Sequence, residues 1–114
     1  MQAQRFRTWY RAQVAEVFRH VDVLLAPTTP WPAPPIGAPR TTAVGGVDVF
    51  TRSHLGVFTQ PLSFIGLPII SVPVIAPGAL PLGVQLVAAP FHEAALFRVA
   101  AHLEAAGVVS APAA

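Results

Sequence analysis

The chain contains no cysteine, so a disulfide framework and thiolate chemistry are both closed to it. Charge is scarce as well: only 11% of its 114 residues are charged, where roughly a quarter is usual in soluble domains. Disordered chains are weakly apolar and strongly charged. This one is the reverse, with 54% hydrophobic residues and a mean hydropathy of +0.58. Lysine is missing altogether, and the seven basic residues are Arg5, Arg7, Arg11, Arg19, Arg40, Arg52 and Arg98. They set a pI near 10.5, yet the net charge is only +2. Four arginines fall in one N-terminal stretch and the others are scattered. A phosphate-tracking surface needs a denser basic stripe, usually interleaved with aromatics, so a nucleic-acid partner is excluded. An acidic small molecule is not, because one guanidinium can grip a carboxylate through two parallel hydrogen bonds.

The stretch from Phe64 to Phe91 carries no charge and has the hydropathy of a membrane span. Pro68, Pro73, Pro77, Pro81 and Pro90 interrupt it, and each removes a backbone donor and breaks helical geometry. Buried strands joined by turns are expected there, with no membrane partner. No apolar run follows Met1–Arg7, so no secretory leader is expected and the cytoplasm is the expected setting. So apolar a chain has more hydrophobic surface than a small core uses, and part of it is expected to be covered by something else.

Periodicity supplies the elements. Phe6, Tyr10, Val14, Val17, Phe18 and Val21 recur at helical spacing and predict an amphipathic helix over 3–21. Arg7 falls on its apolar face, between Tyr10, Val14 and Phe18, whereas Arg5 and Arg19 lie on the far side. A guanidinium there must be paired or aimed into a cavity, or else snorkel past the helix start. A short strand is expected over 21–26 and a stiff proline-rich connection over 28–39. A hairpin is expected over 41–51 with its turn at Gly45-Gly46. Residues 53–65 read as a short helix or two helical turns. A strand follows over 69–74, a turn over 77–81, a strand over 83–89, and a helix over 92–106 that Gly107 ends. Pro73 implies a missing ladder bond or a bulge, and the tail from Val108 is expected to fray. This order predicts an α/β fold with a mixed β-sheet flanked by helices, and too few strands to finish one.

Residues that carry chemistry are sparse. Ser53 and His54 are adjacent, but no nucleophile-elbow motif surrounds them, and a polar pair leaving the hairpin is the simpler reading. His20, His54, His92 and His102 lack metal-ligand spacing, so no metal is expected. Glu93 and Glu104 read as solvated helix charges. Ser71, inside an apolar strand, reads as a satisfied core hydroxyl.

Three segments together resemble the C-terminal part of the amidase-signature family. They are the strand and proline loop Asp22–Pro30 (DVLLAPTTP), the segment Gly66–Val74 (GLPIISVPV), and Leu80–Glu93 (LPLGVQLVAAPFHE) with the helix after it. Within the family, Leu55–Pro68 (LGVFTQPLSFIGLP) is most similar to the 1-carboxybiuret hydrolase branch, whose members act in s-triazine breakdown. The resemblance implies the C-terminal portion of the amidase-signature fold, with residues 1–114 a partial amidase domain whose catalytic core is absent. It also implies amide hydrolysis by a serine nucleophile, a second serine joined through a cis peptide, and a lysine base, without a cofactor. The family carries that machinery upstream of the segments seen here. This chain has no lysine and no Gly-Ser-Ser, and Ser53, Ser63, Ser71 and Ser110 are isolated, so no catalytic residue is expected within it and it should be inactive alone.

What the resemblance implies for binding is an arginine at the place of Arg7 that grips a substrate carboxylate, with Thr59 and Gln60 beside it lining the pocket. For those two, capping of local backbone around Pro61 is an equal alternative. The implied partners are a small-molecule amide, the N-terminal catalytic portion, and a small accessory subunit or a second copy. Two other functions stand beside this one. A glutamine amidase like that of the glutamyl-tRNA amidotransferases is disfavoured by Gly56, which stands where that pattern has an acidic residue. A non-catalytic binding module docking through its apolar surface is the other.

Overall fold

The computed structural model describes residues 1–37, 41–74 and 77–109. Helix α1 spans Gln2–Val17. Its half-buried residues, Arg7, Tyr10, Val14 and Phe18, form one stripe at spacings of three and four. The opposite side stays in solvent, and no residue of α1 is fully buried. The helix ends earlier than its apolar spacing predicts, because the next amides turn back three residues: Arg19 to the Glu16 carbonyl at 3.2 Å and His20 to that of Val17 at 3.0 Å.

Strand β1 (Val23–Pro27) leads into the proline loop. Strands β2 (Thr41–Val44) and β3 (Val47–Phe50) form the expected hairpin. Both turn glycines have positive φ, 57° at Gly45 and 80° at Gly46, as a two-residue turn matched to strand twist requires. The ambiguous stretch resolves into two short helices, α2 (Thr51–His54) and α3 (Gln60–Phe64), with Pro61 in the first turn of α3, where a missing N–H costs nothing.

Strands β4 (Ile69–Val74) and β5 (Leu82–Ala88) join β1 in a three-stranded sheet of order β1-β5-β4. Among the described residues every pairing is antiparallel. Pro73 sits in β4, an edge strand of this sheet, which explains how proline is tolerated there. Helix α4 (Glu93–Ala105) packs on one face of the sheet. Its end is a pair of nested bonds, Gly107 N–H to the Glu104 carbonyl and Val108 N–H to that of Leu103, both 2.9 Å, with Gly107 at φ 70°.

The core lies between that face and α4: Val72, Leu86 and Ala88 against Leu96 and Val109. On the opposite face the register sets Gln85 between Ala26 and Ser71, and Val87 between Leu24 and Ile69. Gln85, Val87 and Ile65 are fully buried. Ser71 is not the core hydroxyl expected of it: it is exposed and shares a 2.9 Å hydrogen bond with the Thr28 hydroxyl. It points off the outer face of an edge strand, beyond the reach of the small core. The tail from Ser110, and the end of the proline stretch at Pro39, lie outside the described residues.

The molecule is open for its size. Its radius of gyration is 16.3 Å, against about 13 Å for a compact domain of this length. Its accessible surface is 8311 Å², against about 6000 Å² for a folded monomer of 12.0 kDa. Much of the excess is apolar, with Phe6, Trp9, Leu25, Phe50 and Phe97 each more than half exposed.

Candidate functional site

The turn between α2 and α3 folds on a single acceptor. The amides of Thr59 and Gln60 both donate to the Gly56 carbonyl, at 3.1 and 2.8 Å. The Thr59 hydroxyl donates to the same oxygen at 3.3 Å, which leaves its own oxygen lone pairs free to accept. Gln60 opens α3 and is exposed. Its side chain lies across Gly56: a Cβ there would stand 2.7 Å from the Gln60 Nε2. The missing side chain at residue 56 is thus the space that Gln60 fills.

Four residues further, Phe64 shares the helical face of Gln60, at a rise of about 6 Å along α3. Over its ring sits Arg7, with the guanidinium carbon 5.7 Å from the centroid. The Arg7 Nη2 also reaches within 4.0 Å of the Cβ position of Gly66. The helical wheel therefore located Arg7 correctly on the packed face of α1. Among the described residues the only ion pair joins Arg19 to Glu16 at 3.2 Å, and Arg7 has no carboxylate partner. Arg7, Thr59 and Gln60 thus gather around one five-residue helix, with Arg7 at its C-terminal end and Thr59 and Gln60 at its start.

A residue that sequence reasoning passed over stands behind them. Gln85 is fully buried in the central strand. Its Nε2 donates to the carbonyls of Pro27 and Phe58, at 2.9 and 3.0 Å, while its Oε1 is buried without a partner among the described residues. The signal for it was a lone amide inside the otherwise apolar strand Leu82–Ala88.

The remaining polar groups are occupied locally. Ser53 Oγ and His54 Nδ1 are 3.2 Å apart, but both point at the Phe50 carbonyl, at 3.1 and 2.8 Å. An Nδ1–H donating there has no lone pair left to take a serine proton. Among the described residues no three His, Asp or Glu side chains gather around a possible metal, and no helix is long and apolar enough to cross a membrane. A cavity of about 400 Å³ between α4 and β4 is lined by Val72, Pro73, Phe97, Ala100, Ala101, Glu104 and Val109. Its single charge is negative, so it offers nothing to an acidic amide.

The model of the Amidase family matches residues 1–97, and the chain belongs to that family, the amidase-signature hydrolases. It is 41% identical over 111 residues to AtzE, the 1-carboxybiuret hydrolase component of Pseudomonas sp. (strain ADP), covering 95% of this chain and 24% of the relative. It is 37% identical over 98 residues to the amidase component of the glutamyl-tRNA(Gln) amidotransferase of Shouchella clausii, covering 86% of this chain and 19% of that one. A solved structure of an s-triazine catabolic enzyme, in a vestigial protein complex with inhibitor bound, superposes with a TM-score of 0.90. Its identity is 38%, over 98% of this chain and 25% of the other. The fold is the C-terminal portion of the amidase-signature fold, and the chain spans about a quarter or less of the length of these relatives.

Proposed function

We propose that these residues are the C-terminal section of a cytoplasmic amidohydrolase that cleaves a C–N bond of a small, carboxylated, urea- or biuret-like amide. Arg7 grips the substrate carboxylate, and Thr59 and Gln60 line the pocket beside it. The serine nucleophile, its partner serine and the lysine base come from a preceding section, because this chain holds no lysine and its serines are isolated. On its own it is inactive. That catalytic section covers most of the exposed apolar surface, and a small accessory protein or a second copy covers the rest.

The observation that carries this reading is Arg7 itself. It is half-buried over Phe64, with no carboxylate partner among the described residues. Taking a guanidinium partly out of water without a counter-charge is costly, and a site for an anionic ligand accounts for it. The similarity to a 1-carboxybiuret hydrolase supports a substrate of that charge. The test is a substrate panel on the complete amidase carrying these residues: a carboxylated biuret, neutral biuret, a neutral aliphatic amide and glutamine. Preferential turnover of the carboxylated biuret is expected. Preference for glutamine would move the assignment to the amidotransferase-like activity, and preference for neutral amides would leave Arg7 without its assigned role.

A further inference from the structure

We propose that Gln85 is a positioning residue that locks the pocket segment at residues 56–60 onto the sheet, an inference that rests on Thr59 and Gln60 lining the pocket. An amide sealed inside an apolar strand is unfavourable unless its hydrogen bonds are made, and an aliphatic residue would fill the same space without that demand. The way round of this amide is fixed by chemistry. Both neighbours are carbonyl oxygens, so only the NH2 end can face them. Its two donors bridge segments far apart in the chain: Pro27, where β1 ends and the proline loop begins, and Phe58, the residue just before Thr59.

The second bond has no substitute. The other hydrogen bonds of residues 54–63 run within that stretch, to its neighbours or to the hairpin. Among the described residues the contact from Gln85 to the Phe58 carbonyl is the one hydrogen bond that ties them to the three-stranded sheet. The turn at Gly56 is thus a small self-bonded unit, and Gln85 sets where it sits. The buried Oε1 remains as an acceptor, so the same side chain has capacity for one further donor.

The test compares Gln85→Leu and Gln85→Glu with the parent in the complete amidase, by amide hydrogen exchange and steady-state kinetics. In Gln85→Leu, protection across 56–63 should fall about tenfold, the effect of one lost hydrogen bond. The amides of β5 should keep theirs, and KM should rise more than kcat falls. Gln85→Glu keeps the shape. As a carboxylate it donates nothing, whereas the protonated acid can bond one carbonyl again. Relative to parent at the same pH, its 56–63 protection should recover between about pH 8 and about pH 5, since burial raises a carboxyl pKa. Unchanged exchange at 56–63 in Gln85→Leu, or equal loss there and in β5, would overturn the proposal. Should Gln85→Leu not fold, a Gln85→Glu protein whose 56–63 protection ignores pH overturns it equally. The exchange pattern reads the clamp whatever the substrate; a parent enzyme with no amidase activity would sink the functional reading alone.

Discussion

Replacing Arg7 by alanine in the complete amidase removes two interactions of different size. The first is structural: the guanidinium stands 5.7 Å from the centre of the Phe64 ring. At a half-exposed site such a contact contributes about 0.5–1 kcal/mol to stability. The second is the proposed grip on a substrate carboxylate. A hydrogen bond to a charged group is worth about 1.5–3 kcal/mol, which corresponds to a loss of roughly 10- to 150-fold in kcat/KM. Binding therefore outweighs stability, and the two can be measured apart. Arg7→Lys keeps the charge but loses the two-point fork, so it should lie between parent and alanine. The assay is kcat/KM on a carboxylated amide and on an uncharged one of similar size, with denaturant melts on the same preparations. The carboxylated substrate should suffer the full loss and the neutral one little. An equal loss on both, or an Arg7→Ala protein that unfolds, would make Arg7 structural and remove the physical support for an acidic substrate.

Three other outcomes follow from the packing. Leu86→Ala should cost about 2–5 kcal/mol in a denaturant melt, because Leu86 is fully buried where β5 meets α4; a cost well below 1 kcal/mol would mean that this core is not the one that holds the fold. Gly83→Ala should destabilise by about 1–3 kcal/mol, because its Cβ would stand 2.8 Å from the Thr28 Oγ1, 2.9 Å from the Thr28 Cβ and 3.1 Å from the Ser71 Oγ. A neutral result would show that the two hydroxyls give way freely. The 114-residue chain by itself should self-associate with rising concentration in sedimentation, since β1 and β4 are edge strands and large apolar side chains are exposed. A concentration-independent monomer with a cooperative melt would instead favour a stand-alone binding module.

Most of the architecture was legible because local signals agree with it. Strand β4 and helix α4 lie within a residue of their expected bounds, since β-branched runs and a 3.6-residue stripe are strong patterns. The glycine pair marked the hairpin turn for the steric reason that the structure displays. The errors have local causes. Helix α1 stops short because its last turn tightens, which apolar spacing does not reveal. Ser71 was placed in the core because an apolar strand reads as covered on both faces, yet its strand is at an edge here. Of the site, Arg7 was legible as a charge on an apolar stripe. The grouping around α3 was not, because contact between α1 and α3 joins residues some 57 positions apart. Gln85 was visible as an odd amide in an apolar strand, but its importance lies in partners 58 and 27 residues away, and no local pattern encodes those.

The central claim is that these residues bind and shape but do not cleave. Its most direct test is amide hydrolysis by the 114-residue chain, purified alone and then joined to a preceding amidase section carrying the serine pair and the lysine base. No turnover of carboxybiuret, biuret or simple amides above the uncatalysed rate is expected from the chain alone, and turnover is expected from the joined protein. Reproducible hydrolysis by the isolated chain, surviving control preparations, would contradict the account.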